Sequence, residues 1–218
     1  MSPKSFLLSP ELHDYILAHT SPLDEVQRRL IEETARLGSV SGMQVAPEQG
    51  AFLTILTASL GVRRAVEVGT FTGYSALCIA RGLAEGGTLL CCDVSEEWTS
   101  IGRQAWERAG VAGRIELRIA PAIETLRSLP DQPYLDLAFV DADKPGYRGY
   151  AEELIPRLRP GGVLLVDNVL WGGSVLDPES TRGDVEHIRA FNDWLVGEPR
   201  MESVLLPVAD GLTVARRR

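Results

Sequence analysis

The 218-residue sequence has few cysteines and no long hydrophobic run. Its three cysteines are an odd number, lie inside apolar runs and match no zinc-binding spacing, so we expect reduced core thiols and a reducing, cytoplasmic compartment. No stretch approaches the ~20 apolar residues that a membrane-spanning helix needs, and the N-terminal segment MSPKSFLLSPELHDY lacks the pattern of a signal peptide. These absences argue against a membrane protein.

The sequence also lacks an excess of basic residues. It has 22 Lys and Arg against 30 Asp and Glu, so its net charge is −8, which does not provide the broad basic surface that usually binds nucleic acid. The composition is 44% hydrophobic and 24% charged, which is typical of a globular chain with enough residues for one domain and a sizeable core. No internal repeat or low-complexity tract is present.

Short apolar runs alternate with helical segments from Arg64 onward. Strands are predicted at 65–69, 88–93, 114–120, 135–141 and 162–168, and helices at 74–83, 96–109, 123–129, 147–158 and 185–195. This alternation is typical of an α/β fold with a mostly parallel sheet and helices on both faces. Two further strand-like runs flank Asp210-Gly211, a turn signal that predicts an antiparallel hairpin at the sheet edge.

The first third of the chain reads as helical. Ser9-Pro10, Ser21-Pro22 and Pro47-Glu48 each carry a helix start signal, with proline at the first helical position. A Gly/Ser-rich break at 37–42 separates the second helix from the third. We therefore expect extra N-terminal helices before the alternating part.

The first predicted strand ends in a glycine-containing loop segment, EVGTFTGYS (67–75), which begins at Glu67. It reads E-x-G-x-x-x-G rather than G-x-G-x-x-G, which argues against a nicotinamide dinucleotide. Asp93 ends the second strand, where a carboxylate can hold both ribose hydroxyls, while Glu67 would repel a phosphate and attract a cation. A ligand with a ribose, no phosphate and a positive centre is S-adenosylmethionine; the alternative is that the glycines are mere turns and Asp93 a helix cap.

Polar residues also follow the fourth and fifth strands. Asp141 ends LDLAFVD, and Asp167 and Asn168 end the next apolar run. If these strands are neighbours, the three side chains converge at the carboxyl edge of the sheet. All are hard oxygen donors, which suit Mg²⁺, Mn²⁺ or Ca²⁺ and not zinc. The alternative is that each acid is a cap or a turn residue.

The sequence resembles the cation-dependent class I S-adenosylmethionine O-methyltransferases, which include catechol and caffeoyl-coenzyme A O-methyltransferases. The resemblance spans about residues 40–218 and lies in these segments: EVGTFTGYS, FVDADK, VDNVLWGG, MQVAPEQGAFL and LPVADGLTVARR. It implies a Rossmann-like methyltransferase fold with a seven-stranded, mostly parallel sheet and an antiparallel edge hairpin. It also implies one domain, with 1–45 as a helical cap and 46–218 as the core, and a homodimer.

The resemblance also implies roles for individual residues. Cofactor contacts are implied at Met43, Val45, Glu67, Gly69, Thr70, Ser75, Asp93, Ala122, Asp141 and Asp143. A divalent cation, Mg²⁺ before Mn²⁺ or Ca²⁺, is implied on Asp141, Asp167 and Asn168. Lys144 matches the catalytic base of the family and acts with Asp141. The substrate contacts are Lys144, Asn168 and Trp171, the last as an aromatic wall or simply a packing residue.

Two positions depart from the family pattern. Ala120-Pro121-Ala122 replaces the frequent Gly-Asp-Ala, so an adenine contact from that Asp is missing. Gly172 stands where plant relatives have a substrate-contacting Asn, which argues against a coenzyme A ester.

The expected reaction is methyl transfer from the sulfonium to one oxygen of a small aromatic vicinal diol. A bound cation would lower the pKa of the phenol, and Lys144 would take its proton or stay cationic beside the phenolate. Two alternatives stay open: a transfer RNA hydroxyuridine O-methyltransferase and a non-catalytic nucleoside-binding module. A local patch for RNA would come from Arg28, Arg29, Arg36, Arg63 and Arg64.

The remaining polar aromatic residues are expected to be structural. Tyr147 and Tyr150, at i and i+3 on one helix, are predicted to serve in packing or on the surface. His13, His19 and His187 have no local partner, and no Ser–His–Asp order is indicated.

Overall fold

A computed structural model describes residues 8–180 and 183–218 of the chain. Residues 1–7, which belong to the segment predicted not to be a signal peptide, lie outside the described residues. Within the described ranges, no helix combines the length and the apolar character that crossing a bilayer requires.

The elements alternate as the sequence predicts. The helices described are α1 (Pro10–Ala18), α2 (Glu25–Ala35), α3 (Pro47–Ser59), α4 (Tyr74–Gly82), α5 (Glu96–Arg108), α6 (Ala122–Arg127), α7 (Tyr147–Arg157) and α8 (Gly183–Val196). The strands are β1 (Arg64–Val68), β2 (Thr88–Asp93), β3 (Ile115–Ile119), β4 (Leu135–Val140), β5 (Leu158–Val166), β6 (Met201–Leu206) and β7 (Leu212–Arg217). Short 3₁₀ segments lie at Gly38–Met43, Ala112–Arg114, Lys144–Gly146 and Trp171–Leu176.

One seven-stranded sheet runs through the molecule, in the order β3-β2-β1-β4-β5-β7-β6. The first five strands of this order are parallel, and β7 pairs antiparallel with both β5 and β6. The strand order therefore reverses between β1 and β4, which is where open parallel sheets bind ligands. The predicted mostly parallel sheet and its antiparallel edge hairpin are confirmed.

The parallel strands end in register at one edge of the sheet. Val68 pairs with Cys92 on one side and Val140 on the other, and Val140 pairs with Val166. The residues that come next therefore emerge side by side. The predicted site residues after β1, β4 and β5 owe their proximity to this register.

Both faces of the sheet are buried, which explains why the strands are almost continuously apolar. On one face, Leu53, Tyr74 and Leu77 belong to a core with Phe139. On the other, α7 and α8 contribute Leu154 and Phe191 to a second core. The predicted placement of helices on both faces is confirmed.

The second helix begins later than its proline suggests. It starts at Glu25, because Asp24 forms a capping box: its Oδ1 accepts from the Gln27 N–H at 2.9 Å, and its own N–H donates to Gln27 Oε1 at 3.2 Å. This reciprocal pair satisfies the backbone N–H groups of Asp24 and Gln27. The predicted start at Ser21-Pro22 is therefore wrong by one turn.

The N-terminal helices differ in how firmly they join the core. None of the residues of α1 is buried. In α2, Leu30 is fully buried, and the hydroxyl of Thr34 donates to that of Thr72 at 2.8 Å. Helix α2 thus packs as part of the core, whereas α1 lies on its surface.

Candidate active site

A cavity of about 960 Å³ opens at the carboxyl edge of the sheet. Its walls come from the loops after the five parallel strands, β1 to β5, together with the segment before α3. Nearly all predicted site residues lie on these walls: Met43, Val45, Gly69, Thr70, Ser75, Asp93, Ala122, Asp141, Asp143, Lys144, Asp167, Asn168 and Trp171. The structure therefore brings together residues that are far apart in the sequence.

Gly69 allows the loop after β1 to touch the loop after β4. Its φ is +88°, and a Cβ at this position would lie 1.9 Å from the carbonyl oxygen of Asp141. No residue with a side chain fits without moving one of the two chains. Glycine is therefore needed at position 69 for two stretches of protein backbone to come this close.

Asp93 holds the loop that contains the glycines. One of its carboxylate oxygens accepts from the N–H groups of Thr70 and Phe71, at 2.9 and 2.8 Å, and the other accepts from Ser95 N–H at 2.8 Å. Asp93 is therefore not the cap of α5, whose N-cap is Ser95, and its side chain also borders the cavity. The oxygen that accepts from Ser95 has a second lone pair, and binding of a ribose there stays a prediction.

Glu67 lies behind the cavity wall rather than in the glycine loop. It is in β1, fully buried, between Cys91 on β2 and Phe139 on β4. Burial raises the pKa of its carboxyl to about 7, an effect that the nearby Ser75 hydroxyl partly offsets. Glu67 was expected in the glycine loop, but it belongs to β1, which ends at Val68. Its contact with the cofactor stays a prediction.

Two carboxyl groups follow neighbouring strands, that of Asp167, which is buried, and that of Asp141, which is half-buried. Burial, followed by repulsion from Asp167, raises the pKa of Asp141 to about 7. Burial also raises the pKa of Asp167, whose Oδ1 is buried and has no hydrogen-bond partner within the described residues. The charge of Lys144 lowers both pKa values but does not cancel the effect of burial.

Asn168 adds an amide oxygen to this pair. Its φ of +55° is a left-handed conformation that asparagine tolerates better than most residues. Its Oδ1 accepts from Lys144 Nζ at 2.9 Å, and the same Nζ lies 3.6 Å from Asp141 Oδ1. The predicted metal ligands and the predicted base therefore form one cluster.

The oxygen atoms of this cluster fit a divalent cation. Two carboxylates and an amide oxygen are hard ligands, and the unpartnered Asp167 Oδ1 provides an acceptor that nothing in the described part of the chain satisfies. Among residues 8–180 and 183–218, no group of three or more His, Cys, Asp or Glu side chains could hold a metal. This candidate set therefore depends on Asn168 as its third ligand.

Two tyrosines near Lys144 make polar contacts that the sequence did not predict. The hydroxyl of Tyr147 contacts Lys144 Nζ at 2.5 Å, and that of Tyr150 donates to Asp143 Oδ1 at 2.6 Å. Packing is therefore only part of their role. The turn at Lys144–Gly146 directs the first turn of α7 back toward the cavity, which explains these polar contacts. The spacing of Tyr147 three residues after Lys144 is the signal that could have revealed this contact.

Gln49 is a polar residue of the cavity that sequence reasoning missed. It is 1% exposed, and neither its amide oxygen nor its nitrogen has a hydrogen-bond partner among the described residues. The side chain lies close enough to Asp167 to lower the pKa of that carboxyl against the effect of burial. The signal was a glutamine in the first turn of a helix, within a segment that carries the family resemblance.

Aromatic rings form part of both ends of the cavity. Phe71 and Trp98 meet edge to face at 5.2 Å beside the glycine loop. At the other end, the Trp171 ring centre is 5.5 Å from Lys144 Nζ. The histidines lie elsewhere: His13 contacts Glu48 at 3.2 Å, and no histidine borders the cavity in the part of the chain described.

The strand order and the position of the cavity define a Rossmann-like methyltransferase fold. The sequence profile of the O-methyltransferase family matches residues 18–218. Caffeoyl-CoA O-methyltransferase 2 of Zea mays is 35% identical and covers 98% of this chain and 85% of its own length. Catechol O-methyltransferase domain-containing protein 1 of Mus musculus is 38% identical, over 96% of this chain and 82% of its own.

A solved structure agrees with these relatives. The O-methyltransferase from Bacillus cereus, crystallised in complex with SAH, superposes with a TM-score of 0.86 and 32% identity, covering 95% of this chain and 97% of that one. The chain belongs to the O-methyltransferase family, as the resemblance of its motifs predicted, and it is an enzyme of that class.

Proposed function

We propose that this enzyme transfers a methyl group from S-adenosylmethionine to one hydroxyl of a small aromatic vicinal diol, with a divalent cation at Asp141, Asp167 and Asn168. The observation that carries the proposal is the cluster of two carboxyl groups, one buried and one half-buried, with an amide oxygen and a lysine amine in one cavity. The same cavity extends to the glycine loop and Asp93. The methyl donor and the methyl acceptor would thus bind next to each other in this cavity.

The donor would occupy the end of the cavity next to β1 and β2. Asp93 would bind the ribose hydroxyls, Gly69 and Thr70 would contact the amino acid part, and Met43 would lie near the sulfonium. The Bacillus cereus relative was crystallised with SAH, the product that S-adenosylmethionine becomes when it gives up its methyl group. This supports the same donor here.

The acceptor would occupy the end next to β4 and β5. A bound Mg²⁺, or Mn²⁺ or Ca²⁺ in its place, would supply Lewis-acid chemistry that lowers the pKa of a chelated hydroxyl. Lys144 Nζ takes the proton from that hydroxyl as the new O–CH₃ bond forms and the S–CH₃ bond breaks. Asp141 and Asn168 hold the amine in place, and Trp171 walls the aromatic ring.

Composition supports a chemical role for Lys144. Only two of the 22 Lys and Arg residues are lysines, Lys4 and Lys144. An arginine would keep the positive charge at position 144 but could not exchange a proton, since its pKa exceeds ~12. The basic residue at the cavity is therefore one that can exchange a proton, although nearly all other basic residues of the chain are arginines.

The alternatives receive less support. The arginines proposed for an RNA patch include Arg63 and Arg64, which lie at the amino end of β1, on the edge of the sheet opposite the cavity. Gly172 has a φ of +59° and nothing within 4 Å of the Cβ position, so it offers no group to a coenzyme A ester. A small diol is therefore the preferred acceptor, and a homodimer stays a prediction.

The test is methyl transfer from S-adenosylmethionine to a panel of small catechols, first with Mg²⁺ and then with EDTA. We expect transfer that EDTA abolishes. Asp167→Asn, which keeps the shape of the side chain, should abolish both transfer and the rise in melting temperature on adding Mg²⁺. Asp131→Asn, on the exposed loop before β4, is the control and should leave both unchanged.

Other outcomes have clear meanings. Transfer that survives EDTA contradicts the metal assignment and leaves Lys144 as the main catalytic group. Binding of SAH without transfer to any catechol contradicts the acceptor, and transfer RNA would be tested next. Unfolding of Asp167→Asn is not expected, because the substitution removes repulsion between two neighbouring carboxyl groups.

A further inference from the structure

The hydroxyl of Tyr147 lies between Lys144 and the main chain of Asp167. It is 2.5 Å from Lys144 Nζ and 2.9 Å from the carbonyl oxygen of Asp167. The ring is fully buried and meets Phe191 edge to face at 5.6 Å. Since packing fixes the ring, the hydroxyl is held at a fixed point beside the amine.

The direction of each hydrogen bond follows from the chemistry of the groups. A carbonyl oxygen can only accept, so the single proton of Tyr147 points to Asp167. The phenol keeps this proton at neutral pH, since the ordinary pKa of a tyrosine hydroxyl is ~10. The hydroxyl therefore presents only lone pairs to Lys144, and the amine must donate to it.

Asn168 imposes the same direction on a second N–H of the amine. Its Oδ1 accepts from Lys144 Nζ at 2.9 Å. A tetrahedral amine with two N–H groups committed in this way has only its remaining position to turn toward other groups. Asp141 Oδ1 lies 3.6 Å from Nζ, which is longer than a hydrogen bond. Lys144 also borders the cavity, so the remaining position can turn to an acceptor hydroxyl.

We propose that Tyr147 is a positioning residue for Lys144: its hydroxyl ties the amine to the end of β5 and aims the position that exchanges a proton at the bound acceptor. The inference rests on the proposed function of Lys144 and adds the group that orients it. Tyr150, one turn further along α7, contacts Asp143 instead and does not replace it.

The first test is Tyr147→Phe, which removes the hydroxyl and keeps the buried ring. We expect kcat to fall about 10- to 100-fold, as misplacement of a catalytic group does, while KM for donor and acceptor stays within about threefold because no binding contact is lost. With a nitro-substituted catechol, whose hydroxyl is already more acidic, the loss should be clearly smaller. Tyr134→Phe, at the start of β4 on the opposite edge, is the matched control and should keep the wild-type kcat.

The second test measures the mobility of the Lys144 side chain and does not depend on enzyme activity. Because the chain has only two lysines, protein labelled with ¹³C-lysine gives two side-chain Cε signals, and Lys4→Arg assigns them. We expect relaxation of the Lys144 Cε to show a restricted side chain in the wild type and a more mobile one in Tyr147→Phe. If wild type methylates no diol but this change occurs, the acceptor assignment fails while the positioning role stands.

Two results would overturn the inference. One is an unchanged kcat together with an equally restricted Lys144 in Tyr147→Phe. The other is a loss of activity that is the same for plain and nitro-substituted catechols and is accompanied by large increases in both KM values, which would indicate a general structural defect.

Discussion

A single buried carboxyl group, that of Glu67, makes folding depend on pH. Its oxygen atoms have no hydrogen-bond partner among the described residues, and burial raises its pKa from 4.5 to about 7. As the pH rises through this interval, the unfolded chain loses the proton first. The folded protein then binds more protons than the unfolded one, so its stability decreases between about pH 4.5 and 7.

Glu67→Gln should remove this dependence, because the amide has nearly the same shape and no proton to lose. We expect the variant to gain stability over the wild type as the pH rises from 5 to 8, by up to about 3 kcal/mol from the size of the shift. Urea unfolding of both proteins at each pH measures it. A difference that stays constant over this range would show that Glu67 titrates normally in the fold. The variant should bind the donor more weakly if Glu67 contributes to the cofactor site.

At the scale of elements, the first two helices differ in how deeply they are buried, although both begin with clear start signals. Helix α1 buries none of its residues, and His13 makes its polar contact with α3 at 3.2 Å. Helix α2 places Leu30 in the core and pairs Thr34 with Thr72. Unfolding α1 exposes little that was covered, whereas unfolding α2 opens the core.

A proline placed at an exposed position in the middle of each helix tests this difference. We expect Tyr15→Pro to lower the free energy of unfolding by less than about 1 kcal/mol, since α1 can unfold alone and lose only a surface contact. Arg29→Pro should cost about 3 kcal/mol or more, because α2 cannot be lost separately. Urea denaturation gives both values, and equal losses would contradict the assignment of α2 to the core.

At the scale of the whole molecule, ligand binding should raise the melting temperature of the protein. A ligand present at 100 times its Kd stabilises the fold by about 2.7 kcal/mol, which raises Tm by roughly 5–10 °C for a chain of this size. We expect SAH to do so and NAD⁺ to change Tm by no more than about 1 °C, since the glycine loop lacks the dinucleotide pattern. Similar shifts with both ligands would contradict the proposed donor site.

Much of this architecture follows from local sequence. The apolar runs predict the strands because both faces of the sheet are buried, and the polar residues after them predict the site because parallel strands end at one edge. Other features depend on contacts that no local pattern contains. The direction of Glu67 into the core follows from its pairing with β2 and β4, and the hydroxyl of Tyr147 reaches Lys144 only because a 3₁₀ turn redirects the chain.

The contact at Gly69 has a consequence for the geometry of the reaction. A missing side chain lets the chain reversal after β1 rest directly on the reversal after β4. Neither reversal can move inward without pushing the other. Because the proposed donor and acceptor sites adjoin these two reversals, we expect the spacing between the two sites to be set when the sheet assembles, before either reactant binds.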